Sequence, residues 1–326
     1  MKAITFETPG APDVLRLGEL PTPVPGPDEL LVRVRATALN RADTLQRRGL
    51  YPPPPGESEI LGLELAGEVE AVGTSAQGFA PGDRVFGLVG GGGYAEKALI
   101  DARMAMRLPA GWDFATAAAV PEVFLTANET LFTLGGLQGG EAVLIHAGAS
   151  GVGTAGIQMA RHAGARVFVT AGSADKIART VELGAEAGMN YKEEDFAARV
   201  RELTNKEGVD LVQDFVGAAY WQKNMQCLKT GGRLVLVGLM GGVKVEVDLN
   251  LIMRKRLHVI GSVMRSQSLE NKIAITQRFR ERWLPLLANG TLRPIIDTTF
   301  PLAEAAAAHR YMEENRNTGK IILVVD

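Results

Sequence analysis

Residues 143–161 read VLIHAGASGVGTAGIQMAR, an apolar run that passes straight into a glycine-rich turn and then a helical pattern. A pyrophosphate needs that arrangement: a tight turn, little side chain in its path, and helix N-terminal amides aimed at it. The loop Gly148-Ala149-Ser150-Gly151-Val152-Gly153 has G-x-S-x-x-G spacing, so a serine stands at the middle glycine of the dinucleotide fingerprint. A glycine turn alone is weak, because purely structural turns use the same residues. Here it is followed by further apolar runs at 166–171, 210–215, 233–238 and 257–263, with helical stretches such as 154–164 and 175–185 between them. That rhythm predicts a parallel sheet covered on both faces.

The second strand ends near Thr170, where an NAD site would place an acid for the ribose hydroxyls. This chain has Thr170, Ala171, Gly172 and Ser173, then Lys176. An acid-free end with a nearby cation suits a 2′-phosphate and favours NADP(H), while Asp175 leaves NAD open. Ser173 also suits a helix cap, and Lys176 a solvated surface charge.

The first third reads differently. ELLVRVRATALN (29–40) follows the strand period, and 67–73 and 83–89 are further short strands between Gly and Pro turns. Asn40 opens a short helix that Gly49 closes. The tail carries a long amphipathic stretch (268–288), a helix-like 303–315 and a final strand, 320–326. A chain of 326 residues exceeds what one core usually fills, so two domains are expected. A formal charge of −2 gives no electrostatic case for nucleic acid or an anionic membrane. No apolar run reaches membrane-spanning length. One cysteine, Cys227, excludes an internal disulfide and a thiolate metal cluster, and a reducing, cytoplasmic setting is expected.

ILGLELAGEVEAVG (60–73) sets Glu64 between two leucines, where a carboxylate needs a cation, a metal or a donor. The segments GLELAG, LNRAD (39–43), DRV (83–85), AAAVPEVFLTA (117–127), GEAVLIHAGASGVG, VGLMGG (237–242) and NTGKIIL (317–323) come in the order of one family. The chain resembles, over essentially its whole length, the zinc-free quinone oxidoreductase (zeta-crystallin-like) branch of the medium-chain dehydrogenases/reductases. GLYPPPPG (49–56), NYKEEDF (190–196) and AYWQKNMQCL (219–228) carry a closer likeness to the tumour-suppressor-induced NADPH quinone oxidoreductases.

The resemblance implies an α/β chain with a GroES-like β-rich catalytic domain, 1–121 and 265–326, and a doubly wound Rossmann cofactor domain, 122–264. Zinc-dependent relatives carry a metal-binding His beside the Glu and a Cys ligand near 39–40. Here those positions are Leu63 and Leu39-Asn40, and leucine has no lone pair for a metal. The four histidines, 146, 162, 258 and 309, are scattered and read as packed or surface residues. Glu64 is therefore expected as a hydrogen-bonded strut, paired with an arginine.

Without a Lewis acid, an ordinary ketone is a poor acceptor because its developing alkoxide lacks a strong stabiliser. Quinones and conjugated carbonyls delocalise the transferred charge. The expected activity is hydride transfer from NADPH to a quinone in a cleft between lobes. Two alternatives remain open: an NADPH-dependent enoyl or activated double-bond reductase, and a low-turnover NADPH-binding structural or interaction protein.

Asn40, Tyr51 and Ser150 are the candidates for the reacting face. Asn40 resembles the family's residue beside the nicotinamide. Tyr51 either offers its phenol to the acceptor or stacks on its prolines, and Ser150 either contacts ligand or stands in for glycine. For the cofactor, the resemblance carries over Asn40, Thr126, Ser150, Gly151, Val152, Gly172, Ser173, Lys176 and Tyr191. It adds Phe215, Val216, Gly217, Leu239, Met240 and Gly241 at later strand ends, with Met264 near the nicotinamide. No metal site is expected. The resemblance also implies that two subunits join sheets at the edge strand 257–263, giving a homodimer, and such pairing would satisfy the exposed strand.

Overall fold

In the computed structural model, which describes residues 1–326, the glycine-rich turn follows strand Ala142–Ile145 and leads into helix Gly151–His162. Five more strands lie parallel with it, in the order Ala187–Asn190, Arg166–Ala171, Ala142–Ile145, Val209–Asp214, Leu228–Leu236 and His258–Gly261. The chain winds outward from the centre to one side, then returns and winds to the other. That reversal beside Ala142–Ile145 is where doubly wound sheets leave a ligand crevice. Every residue of Ala142–Ile145 and of Val209–Asp214 is buried, as strands covered on both faces require. Phe168, Met189, Phe196 and Trp221 fill one side of the sheet, each removal of a large apolar side chain from water contributing about 1.5–3 kcal/mol. These elements belong to one compact unit, Thr126–Met264.

The second unit joins the chain ends, Met1–Leu125 with Arg265–Asp326. Its seven-stranded sheet runs Ile296–Pro301, Lys320–Val324, Glu29–Ala38, Glu64–Val72, Arg84–Leu88 and Met106–Arg107, with Lys97–Asp101 also paired to Glu29–Ala38. The C-terminal strand lies antiparallel to Glu29–Ala38, with Ile322 opposite Ala38. That pairing brings the two ends of the sequence together around residues 38–40.

Asn40 caps helix Arg41–Arg47 with a reciprocal capping box through Asp43, and Gly49 follows at φ +73°. The amphipathic stretch 268–288 is two helices, Leu269–Arg282 and Leu284–Ala288. Pro285 lacks the amide a continuing helix would use, and its ring disfavours the preceding turn. The run 117–127 folds into short helices, Phe114–Ala118 and Pro121–Ala127, the latter continuing as a π-helical turn, Asn128–Leu134. No helix is long and apolar enough to cross a membrane.

Candidate active site

Glu64 begins its strand with no solvent exposure. Burying a carboxylate is costly unless charge and hydrogen bonds are returned to it. Its Oε1 accepts from Lys320 Nζ at 2.7 Å and from Asn40 Nδ2 at 2.8 Å, and its Oε2 from the Glu122 amide at 2.8 Å. The expected arginine partner is thus corrected to Lys320. Arg35, on the neighbouring strand, is instead engaged by Glu68 at 2.9 Å. Lys320 spends its remaining protons on Leu39 O at 2.8 Å and Asn40 Oδ1 at 2.7 Å. Asn40 is consequently held from both ends of its amide, and only one amide orientation fits.

Asp43 sits behind this cluster, accepting from the Asn40 amide at 2.7 Å, the Gly62 amide at 3.2 Å and Tyr94 Oη at 3.3 Å. Burial raises its pKa to about 6. Tyr94 Oη also lies 3.2 Å from His309 Nε2, and Arg47 Nη1 lies 3.1 Å from His309 Nδ1. Arginine only donates, so His309 accepts at Nδ1 and carries its proton on Nε2. Burial and the Arg47 charge push His309 down to about 3, keeping it neutral. Arg47 then reaches Glu313 at 2.5 Å.

Tyr51 lies under Arg265, whose guanidinium carbon is 5.5 Å from the ring centroid and whose Nη1 donates to Tyr51 O at 3.3 Å. Arg265 also donates twice to Gly90 O, at 2.9 and 3.2 Å. Burial and the Glu122 charge raise the Tyr51 phenol above its usual value. Glu122 itself is raised to about 8, first by burial and then by Glu64. Leu63 and Leu39 are packed in the core, and no group of three or more His, Cys, Asp or Glu side chains is placed to hold a metal ion.

In the other unit, the sequence-predicted residues fall on one edge of the sheet. Ser150 and Gly151 follow strand Ala142–Ile145, Gly172 and Ser173 follow Arg166–Ala171, and Tyr191 follows Ala187–Asn190. Phe215–Gly217 follow Val209–Asp214, Leu239–Gly241 follow Leu228–Leu236, and Met264 comes after His258–Gly261. Because the strands are parallel, all these positions lie at their carboxyl ends, the side on which such sheets bind ligands. The loops after the fourth and fifth strands are tied together by Gly241 N to Val216 O at 2.7 Å and Met240 N to Phe215 O at 3.2 Å.

Ser150 Oγ caps its helix by accepting from Gly153 N at 3.0 Å. The Gly151 and Val152 amides, one turn earlier in need of acceptors, find none in the chain. Gly153 must be glycine, since a Cβ there would lie 2.5 Å from both Ala147 O and Gly148 O. Ser173 caps Ala174–Glu182 by accepting from Lys176 N, and Tyr191 Oη would lie 2.8 Å from a Cβ at Gly172. Thr126 Oγ1 is buried with no hydrogen-bond partner. An orphaned hydroxyl and two orphaned helix amides fit a ligand with acceptor oxygens, as a dinucleotide has.

Residues 151–280 match the zinc-binding dehydrogenase family, and 26–110 match the alcohol dehydrogenase GroES-like domain. A quinone oxidoreductase of Pseudomonas aeruginosa is 37% identical, with 99% of each chain covered. The chain belongs to the quinone oxidoreductase family of medium-chain dehydrogenases/reductases. The crystal structure of Escherichia coli quinone oxidoreductase complexed with NADPH superposes with a TM-score of 0.91 at 31% identity, covering 99% of this chain and 100% of that one. CurK enoyl reductase superposes at 0.88 with 29% identity, covering 100% and 99%.

Within this family member, sequence reasoning missed Lys320, Glu122, Asp43 and Arg265. A lone acid in the apolar run AAAVPEVFLTA was available as the same signal that drew attention to Glu64. A lone lysine opening the buried strand KIILV pointed to Lys320.

Proposed function

We propose that this family member reduces quinones with NADPH, by hydride transfer and without zinc. The observation that carries the reading is the Glu64 cluster. The carboxylate, a group able to support a metal site, has both oxygens engaged by Lys320, Asn40 and the Glu122 amide. Beside it stand Leu63 and Leu39, which offer no ligand atom. An acceptor reduced here must carry its own delocalising system, which a quinone does.

When bound, NADPH supplies a hydride from C4 of its reduced nicotinamide. The Gly151 and Val152 amides suit the pyrophosphate, Ser150 orienting their turn through its cap. Ser173, Lys176 and Tyr191, beside Gly172, suit the 2′-phosphate end. Thr126, Phe215, Val216, Gly217, Leu239, Met240, Gly241 and Met264 complete the cofactor path in this reading. Asn40, clamped by Lys320 and Glu64, fixes the reacting ring or acceptor without reorganising at the moment of transfer. Tyr51 offers its hydroxyl to the acceptor oxygen. A conjugated enone asks for the same residues, and the likeness to CurK enoyl reductase supports that second reading.

The finer setting belongs to the same proposal. Strand His258–Gly261 is paired on one side only, and Leu239, Met240, Val243, Leu249, Met253 and Val259 around it are exposed. Edge-to-edge pairing of two subunits would satisfy its backbone and cover this apolar surface, giving a homodimer. The buried single thiol, Cys227, suits a reducing cytoplasmic compartment.

The test is an acceptor panel of ortho- and para-quinones, enones and aliphatic alcohols, run with NADPH and NADH and repeated with a chelator. Chelator-resistant quinone reduction with preference for NADPH is expected, from a species sedimenting at twice 34.8 kDa. Chelator-sensitive alcohol oxidation with no quinone turnover would overturn the reading. NADPH binding without any turnover would favour the interaction-protein alternative.

A further inference from the structure

Between Ala117 and Leu125 every residue is buried except Glu122, which keeps partial solvent access. Its position is fixed by its own backbone, since the Glu122 amide donates to Glu64 Oε2 at 2.8 Å. The surrounding acids are all satisfied. Glu64 takes three donors, Asp43 takes three, and Glu57 pairs with Lys272 at 3.1 Å. The Glu122 carboxyl has neither hydrogen-bond donor nor ion pair. Lys320, the nearest strong cation, has its protons committed to Glu64, Asn40 and Leu39. Arg265 is turned toward the carbonyls of Gly90 and Tyr51, to which its Nε, Nη1 and Nη2 donate, and makes no ion pair with Glu122. An unpaired acid at the one opening of a buried segment is costly to stability, and structure alone gives it no purpose.

We propose that the Glu122 carboxyl is the proton donor of the reaction, delivering to the acceptor oxygen the proton that accompanies the hydride. The inference rests on the reductase reading above. Reduction of a quinone consumes one hydride and one proton. The hydride brings two electrons and oxidises the cofactor's ring, and the negative charge comes to rest on an acceptor oxygen. The Glu122 O–H bond breaks as the acceptor O–H bond forms, and solvent reprotonates the carboxylate through the same opening. For an enone the hydride adds to the β-carbon, and the enolate oxygen takes the proton.

Glu122 meets the chemical requirement for this role. With a pKa of about 8, most of it carries a proton at neutral pH, yet it gives that proton up readily. The groups facing it are Glu64 and Asp43, which raise it, and Lys320 and Arg265, which lower it, with burial the largest cause. Tyr51 is also within its field, but its phenol is raised above 10 and is the weaker acid.

The test compares the wild type with Glu122→Gln and Tyr51→Phe in the full chain, using para-benzoquinone and a conjugated enone as acceptors at saturating NADPH. For the wild type, kcat is expected to fall as pH rises through about 8, where the acid form is lost. Glu122→Gln should lower kcat at least tenfold at pH 7, remove that limb and diminish the solvent isotope effect, with KM for NADPH unchanged. Tyr51→Phe should keep the limb. Loss of fold is separable from loss of chemistry. The raised pKa means the folded state holds a proton that the unfolded chain, near 4.5, releases, so stability falls as pH rises between 4.5 and about 8. Glu122→Gln should flatten that fall and leave Tm equal or higher. An active wild type whose Glu122→Gln variant keeps kcat and the pH limb would overturn the role of Glu122 alone. A wild type that oxidises NADPH with neither acceptor would overturn both this role and the reductase reading.

Discussion

In the unit Thr126–Met264, a buried polar chain runs from Thr170 through His146 and Asn224 to Asp214. Thr170 Oγ1 lies 2.9 Å from His146 Nδ1, His146 Nε2 lies 2.7 Å from Asn224 Oδ1, and Asn224 Nδ2 donates to Asp214 Oδ2 at 3.0 Å. Asp214 Oδ1 then accepts from Val216 N at 2.7 Å and Gly217 N at 3.2 Å. Asparagine's carbonyl only accepts, so His146 carries its proton on Nε2, and burial holds it neutral by lowering it to about 4. The chain begins on one strand and ends by shaping the turn after another. In the unit of the two chain ends, the cluster around Glu64 is built from the same kinds of group but ends at Glu122, whose carboxyl has no partner. A closed polar chain specifies packing. An open one keeps a reactive group at a defined place at the expense of stability.

The comparison breaks most sharply at its charged member. Lys320→Met removes the only cation hydrogen-bonded to Glu64 and strands a buried carboxylate, a change expected to cost about 3–5 kcal/mol. Asn224→Ala in the closed chain removes neutral and charge-assisted hydrogen bonds and leaves His146 and Asp214 each short of one partner. Its expected cost is about 1–3 kcal/mol. Urea denaturation of both variants measures the two losses. Activity of the Asn224→Ala protein should survive at temperatures where it is folded, whereas Lys320→Met should lose kcat even when folded, because Asn40 is released. Equal losses of kcat per unit of stability would erase the distinction between the two networks.

How much of this was legible in the sequence follows the range of the interactions. The glycine loop, its flanking strand and helix, and the Asn40 cap are local, and their residue types announce them within a few positions. The carboxyl-edge positions from Ser150 to Met264 were placed by strand ends, so a parallel sheet delivers them to one side whatever the details of each loop. The Lys320–Glu64 pair joins residues 256 apart, and no periodicity predicts which lysine of the chain returns there. It depends on strand Lys320–Val324 aligning with Glu29–Ala38, a register visible only in three dimensions. Glu122 was missed for another reason. Its run reads as apolar and helical, and the one partly accessible position in it becomes evident only when burial of its neighbours is known.

The finest contrast concerns Thr126, an open group of the unit that holds the closed polar chain. Its hydroxyl is buried without a partner, while its carbonyl accepts from Thr130 Oγ1 at 2.6 Å. A buried hydroxyl lacking a hydrogen bond is a liability to the free protein, so Thr126→Val keeps the shape and removes the penalty. The folded state is expected to be unchanged or more stable by about 1 kcal/mol, as thermal unfolding without cofactor would read. If the hydroxyl is reserved for NADPH, the same substitution should raise KM for NADPH several-fold and erase part of the Tm increase that added NADPH produces. A Thr126→Val protein that binds NADPH as before, and gains stability equally with and without it, would make the hydroxyl a packing residue. The open positions of the cofactor edge would then reduce to the Gly151 and Val152 amides, whose geometry a side-chain substitution does not touch.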